Sequence, residues 1–131
     1  MPAMTAALAA ALAICAAGAA SALPSLRSVS SQRGHVVVVF SLGELAPGRI
    51  VVAHGRATRP DGRLVTANLL VDEPLRLVKT ATGYTARTTR TVAPGTYYVQ
   101  ISGTVLGMDC LKPKPCPQDW SNVRRVDVPS P

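Results

Sequence analysis

From residue 23 to residue 128 the apolar positions of this 131-residue chain fall in short continuous runs or at every second residue. None recurs at the spacing that lines one face of a helix, so the pattern predicts strands throughout. The run HVVVVFSL over 35–42 is β-branched and too short for a helix, and it reads as a strand buried on one or both faces. Upstream, LPSLRSVSSQRG predicts a short edge strand and a turn. After the break GELAPG, residues 49–58 predict the next strand. It ends at Arg59-Pro60-Asp61-Gly62, where proline presets one turn dihedral and glycine tolerates a positive φ. Residues 63–71 (RLVTANLLV) form a further strand in this reading, stopped by the breaker Asp72-Glu73-Pro74. Residues 75–79 and 84–91 flank a turn at 80–83. In TYYVQISGTVL, Tyr97, Val99 and Ile101 share one face while Tyr98 and Gln100 share the other. A last strand over 120–128 has Val126 and Val128 in phase and Val123 out of phase, which predicts a bulge near Arg124-Arg125. The punctuation predicts an all-β domain of roughly seven antiparallel strands folded as a β-sandwich.

The first 22 residues stand apart from this pattern. MPAMTAALAAALAICAAGAASA carries no charged side chain and closes on Ala20-Ser21-Ala22, the small residues a signal peptidase reads. Cleavage after Ala22 leaves one domain, 23–131, of about 109 residues, and sends it out of the cell. Two other readings keep the protein at a membrane. One is an uncleaved anchor, which so alanine-rich a segment suits poorly. The other is lipidation at Cys15, where Ile14 stands in place of the small residue such motifs want. All side-chain charge lies beyond this segment, with 14 Lys and Arg against 7 Asp and Glu, a net +7. That balance favours anionic cell-wall polymers, polysaccharides or an extracellular protein as partners. The arginines are scattered rather than run together, so no nucleic-acid stripe is indicated.

The stretch TVAPGTYYVQISG resembles the entry to the sixth strand of the fibronectin type III domain, an immunoglobulin-like β-sandwich. The resemblance rests on Val92, then Pro94-Gly95-Thr96, then Tyr97 followed by the alternating Val99 and Ile101. WSNVRRVDV is similar to the last strand of many bacterial members, which also begins Trp-Ser-Asn. Phe40 stands where the family usually places a tryptophan. The resemblance implies that Tyr97 is the structural corner, its ring closing one end of the core and its hydroxyl bonding a nearby backbone group. It also implies a mostly non-catalytic family of adhesion modules, spacers and small secreted proteins. Asp61-Gly62-Arg63 runs opposite to the integrin-reading order of some animal members and reads as a hairpin turn.

Beyond the leader only Cys110 and Cys116 remain, five residues apart, in MDCLKPKPCPQDW. Two thiols without converging histidines fall short of the roughly four ligands of a structural zinc, and the spacing is not Cys-x-x-Cys. In an oxidising compartment the expectation is a disulfide that closes a proline-stiffened loop. The candidate binding residues are Lys112, Lys114 and Trp120: two outward cations on a stapled loop and one large aromatic beside it, able to stack on a sugar. The same loop offers a second function, inhibition or regulation of a secreted enzyme, although proline after both lysines disfavours a substrate-like inhibitor. His35 and His54 lie in strand-like runs, and no pair of carboxylates or nucleophile–base set is spaced for catalysis. No enzyme, metal or cofactor is expected. The predicted function is that of a secreted, non-catalytic binding, adhesion or envelope-associated module.

Overall fold

The computed structural model describes residues 23–81, 83–106 and 116–130. The leader, with its cleavage, anchoring or lipidation, lies outside the described residues, as do Cys110, Lys112 and Lys114. Among the described residues nine strands form: β1 (Ser25–Gln32), β2 (His35–Ser41), β3 (Ala46–Ala53), β4 (Leu69–Pro74), β5 (Val78–Thr80), β6 (Gly83–Arg87), β7 (Gly95–Thr104), β8 (Gln118–Trp120) and β9 (Arg124–Val128). One short 3₁₀ turn, Thr66–Asn68, precedes β4. The strands make two antiparallel sheets. Sheet A runs β1-β2-β6-β5, and sheet B runs β4-β3-β7-β8, with β9 also paired to β7. Among the described residues no helix is long and apolar enough to cross a membrane.

Period-two burial explains the pairing. In β2 the even residues Val36, Val38 and Phe40 are buried and the odd ones half-buried. β3 and β7 contribute Ile50, Val52, Tyr97, Val99 and Ile101 to the same apolar cluster, so side chains from both sheets share one core. A one-residue slip in any of these strands would turn its whole apolar set outward, which is what fixes the register. One lateral edge is closed by a side chain instead of a strand. The Asn122 amide accepts from Leu26 N at 2.9 Å and donates to Leu26 O at 3.0 Å, while Arg124 Nε donates to the same carbonyl at 2.7 Å.

The crossover from sheet A to sheet B over 88–94 is pinned from three sides. The buried Thr88 hydroxyl accepts from Val36 N and donates to Arg90 O. The Glu73 carboxylate, 8% exposed, accepts from Thr89 N at 2.8 Å and Arg90 N at 3.0 Å. Burial opposes ionisation of Glu73, but these two amides, with the nearby Arg90 charge, outweigh it and hold the carboxyl below its ordinary value. The Tyr97 ring is buried at the end of the core, and its hydroxyl donates to Ala93 O at 2.5 Å.

Four boundaries differ from the sequence reading, and long-range partners account for them. Nine strands replace the roughly seven expected. Asp72-Glu73-Pro74 belongs to β4 instead of breaking it: Asp72 pairs with Arg49 across the sheet, Glu73 finds backbone amides, and proline is tolerated on this edge strand. Residues 63–71 do not make one strand, because the first half leaves sheet B and only Leu69 onward pairs with β3. The expected terminal strand is split. Trp120 ends β8 and pairs with Ser102, whereas β9 pairs with β7 from Val99 to Gly95 in unbroken register, with no bulge at Arg124-Arg125. Val123 falls in the gap and packs on the outer side of sheet B.

Residues 54–68 fold back over that outer side. A small hairpin closes with Arg59 N donating to Arg63 O and Gly62 N to Arg59 O, Gly62 taking φ +88°. Leu64, fully buried, inserts among Val51, Ala53, Leu69, Tyr98, Trp120 and Val123. Gln100 on β7 locks it there. Its Oε1 accepts from Leu64 N at 2.9 Å, and its Nε2 donates to Gly62 O at 2.6 Å and Ser121 O at 2.9 Å. Gln100 is itself wholly buried, so all three bonds are sheltered from competing water on the glutamine side.

Candidate binding surfaces

Three surfaces bear on function, and each is built from strand geometry. The first is the neck of the cysteine-bracketed loop. β7 and β8 diverge after Thr104, and Val105 N donates to Pro117 O at 2.9 Å to close the base. Below this bond the Ser102 hydroxyl accepts from Arg49 N and donates to Gln118 Oε1 at 2.6 Å, and Gln118 Nε2 donates to Thr104 Oγ1 at 3.0 Å. This network fills the space beside Gly48, where a Cβ would collide with both Gln118 Oε1 and Ser102 Oγ. The neck is therefore a close-packed polar joint. Cys116 stands just beyond it; its expected partner Cys110 and the candidate binding residues Lys112 and Lys114 belong to 107–115, outside the described residues.

The second surface is the half-buried Trp120. Its inner side packs on the Leu64 cluster, and the Arg63 guanidinium lies over the ring, 5.1 Å from the centroid. Asp72 fixes that arginine through Arg63 Nη2 at 3.3 Å while also accepting from Arg49 Nε at 2.6 Å. Arg63 Nε is buried with no hydrogen-bond partner. A sugar approaching that ring face would have to displace a guanidinium already held by a carboxylate and a π-face. Trp120 thus has a structural occupation that its sequence position did not reveal.

The third surface was not visible as a cluster in the sequence. Strands β1, β2, β5 and β6 contain no Asp or Glu. They and their connections carry Arg27, Arg33, Arg76, Lys79 and Arg87. Glu44 follows β2 in the turn to β3, and the other described acids lie on sheet B and its loops. Asp72, Asp61 and Asp127 pair with arginines of sheet B and its loops, and Glu73 is occupied by the crossover amides. Hydrogen bonds from Thr96, helped by Arg125, hold the Asp127 carboxyl below its ordinary value. Sheet A is thus a cationic wall with its counter-charges on the other layer. His35 Nδ1 donates to Thr88 O at 2.8 Å, and His54 lies exposed just past the end of β3.

Among the described residues no three His, Cys, Asp or Glu side chains converge on a point that could hold a metal. Asp61, Asp72 and Asp127 are engaged by arginines and Glu73 by backbone amides. What the arrangement supplies is charge, hydrogen-bond donors and a rigid frame. Comparison with protein-family models, with curated proteins and with solved structures finds no match for this chain.

Proposed function

We propose that this chain is an exported, non-catalytic β-sandwich module of the immunoglobulin and fibronectin type III kind, and that it binds anionic material at the cell exterior. Support for the sandwich comes from strand order. β1-β2-β6-β5 against β4-β3-β7-β8/β9 corresponds to the A-B-E-D and C′-C-F-G layers of that architecture. The Tyr97 hydroxyl reaching Ala93 O sits where such domains place a tyrosine corner. Export rests on the leader, and the disulfide between Cys110 and Cys116 rests on the compartment that export implies. The observation that carries the binding reading is the division of charge between the two sheets. A net +7 spread evenly would serve solubility alone; five of the fourteen cations lie on or beside one sheet whose strands hold no acid, and that local excess forms a field that concentrates anions.

The test is adsorption of the exported protein to isolated cell envelope and to a soluble acidic polymer across a salt series. The Debye length falls from about 10 Å at 0.1 M to about 3 Å at 1 M, so charge-led retention should fade over that range. Retention indifferent to salt, or equal on a neutral polymer, contradicts the proposal. The neck-held loop belongs to the same reading as a second contact, through Lys112, Lys114 and the neighbouring Trp120. Salt-resistant capture of one secreted enzyme, lost on Lys112→Ala/Lys114→Ala, would instead identify a regulator acting through that loop.

A further inference from the structure

The geometry points to a binding groove for an acidic polysaccharide on the outer face of sheet A, at the β1–β2 hairpin, built from Arg33, Arg87 and Arg76. This inference rests on the anion-binding reading above and gives it a site and a ligand class.

The hairpin turn is the first observation. Arg33 and Gly34 occupy its two central positions with φ +52° and +83°, the left-handed pair of a type I′ turn. Such turns favour Asn-Gly, because a side chain with a long stem at the first position carries a steric cost. Arginine there puts an exposed guanidinium side chain at the tip of a hairpin whose backbone is tied by Val92 N donating to Gly34 O at 2.9 Å. Strain kept at a position of this kind is a marker of use.

Strand pairing brings the other cations beside it. Arg87 lies opposite Val37 in the β2–β6 ladder, so its side chain emerges on the outer face with His35 and Thr85. Gln32, Arg33, His35 and Arg87 line one depression. Gln32 and Arg87 also line the next, together with Arg76, Val78, Thr85 and Thr89, so the two depressions join into one groove. It crosses from β1 to β5, three strand intervals of about 4.8 Å, or roughly 14 Å. That length suits an oligosaccharide rather than a single ion. Arg33, Arg76 and Arg87 are exposed and have no carboxylate partner among the described residues. The carboxylate tied to this end, Glu73, is occupied by the Thr89 and Arg90 amides.

The lining chooses among polyanions. Guanidinium groups bind carboxylate and sulfate in a bidentate fork. Between them stand the Gln32 amide and the Thr89 hydroxyl, partners for sugar hydroxyls, and the Thr85 hydroxyl, which donates to Val38 O at 3.0 Å and is left to accept. Val37 and Val78 supply a small apolar floor, without the Trp, Phe or Leu that interfacial membrane binding uses. Among the described residues no Trp, Tyr or Phe lines the groove to stack a nucleobase, and the one ring present, His35, is tied to Thr88 O.

The experiment measures binding of the exported protein to a heparin-derived hexasaccharide and to polygalacturonate, with dextran as the neutral polymer and anionic phospholipid vesicles as a separate arm. Arg33→Gly, Arg76→Ala and Arg87→Ala are compared with Lys112→Ala/Lys114→Ala. Arg33→Gly relieves the turn, so loss of binding in it cannot be loss of the fold. Each groove substitution should weaken binding about tenfold, the scale of one charged hydrogen-bonded contact, and the triple variant should lose it while the loop variant weakens it less than any single groove substitution. Acidic-polymer binding that survives the triple variant, or is lost only in the loop variant, overturns the groove and leaves the anion-binding reading standing. Failure of the unaltered protein to bind either acidic polymer or the vesicles at low salt overturns both. Tight vesicle binding without polysaccharide binding overturns the ligand class.

Discussion

Gln100→Met is the sharpest probe of how the outer layer is held to sheet B. Methionine keeps the length and nearly the volume of glutamine, so packing loss is small. Three hydrogen bonds disappear, to Leu64 N, Gly62 O and Ser121 O. The bonds to Leu64 and Ser121 are buried, and each orphaned group costs about 1–3 kcal/mol. The expected loss is therefore about 2–6 kcal/mol, a large share of the roughly 5–15 kcal/mol typical of a domain. Part of it will escape as local opening: the 57–65 hairpin should detach and Leu64 lose its pocket. Urea unfolding followed by fluorescence reads this directly, because Trp120 is the chain's single tryptophan and packs on the same cluster. Hydrogen exchange at the Leu64 amide reports the local part. A stability change under about 0.5 kcal/mol, with the Leu64 amide still protected, would refute the reasoning.

Three further outcomes follow from the same contacts. Tyr97→Phe removes the hydroxyl donor to Ala93 O and should cost about 1–2 kcal/mol in chemical denaturation without altering the circular dichroism spectrum. Gly48→Ala forces a Cβ against Gln118 and Ser102, so the neck must open; the expected signs are a destabilisation of about 1–3 kcal/mol and faster exchange at Val105 N. Glu73 has a depressed carboxyl in the folded state, so its stabilisation is complete above the unfolded carboxyl's ordinary value of 4.5 and is lost as pH falls through the folded value. Glu73→Gln should accordingly be less stable than the unaltered protein at neutral pH, and the gap measured by denaturant titration should close as the solution is acidified below about 4.5.

Much of the scaffold was legible because one face of each long strand is buried. The continuous run over 35–42 and the Tyr97, Val99, Ile101 alternation mark strands by themselves, and Arg59-Pro60-Asp61-Gly62 announces a turn by local chemistry. What stayed hidden depends on groups distant in the chain. Asp72-Glu73-Pro74 reads as a breaker until Arg49 and the Thr89 and Arg90 amides are in place. Residues 120–128 read as one strand until Asn122 is seen to turn away to Leu26. Gln100 reads as a wet-face residue until the 57–65 hairpin covers it. The surfaces follow the same rule. Arg33, Arg76 and Arg87 are scattered in the sequence, and only the pairing of β2 with β6 and β6 with β5 gathers them. Trp120 reads from the sequence as either a packing residue or a ring able to stack on a sugar, and its partner Arg63 lies in a hairpin whose docking no local pattern encodes.

The claim on which the account turns is that the acid-free sheet is the contact face. Backbone amide shifts of the isotope-labelled protein, followed during titration with the acidic hexasaccharide, test it at every residue at once. The account predicts that the amides of the Arg33-Gly34 turn, β2 and β6 shift together and return as salt is added. Shifts gathered on β3, β4 and β7, or no shifts at all, would contradict it.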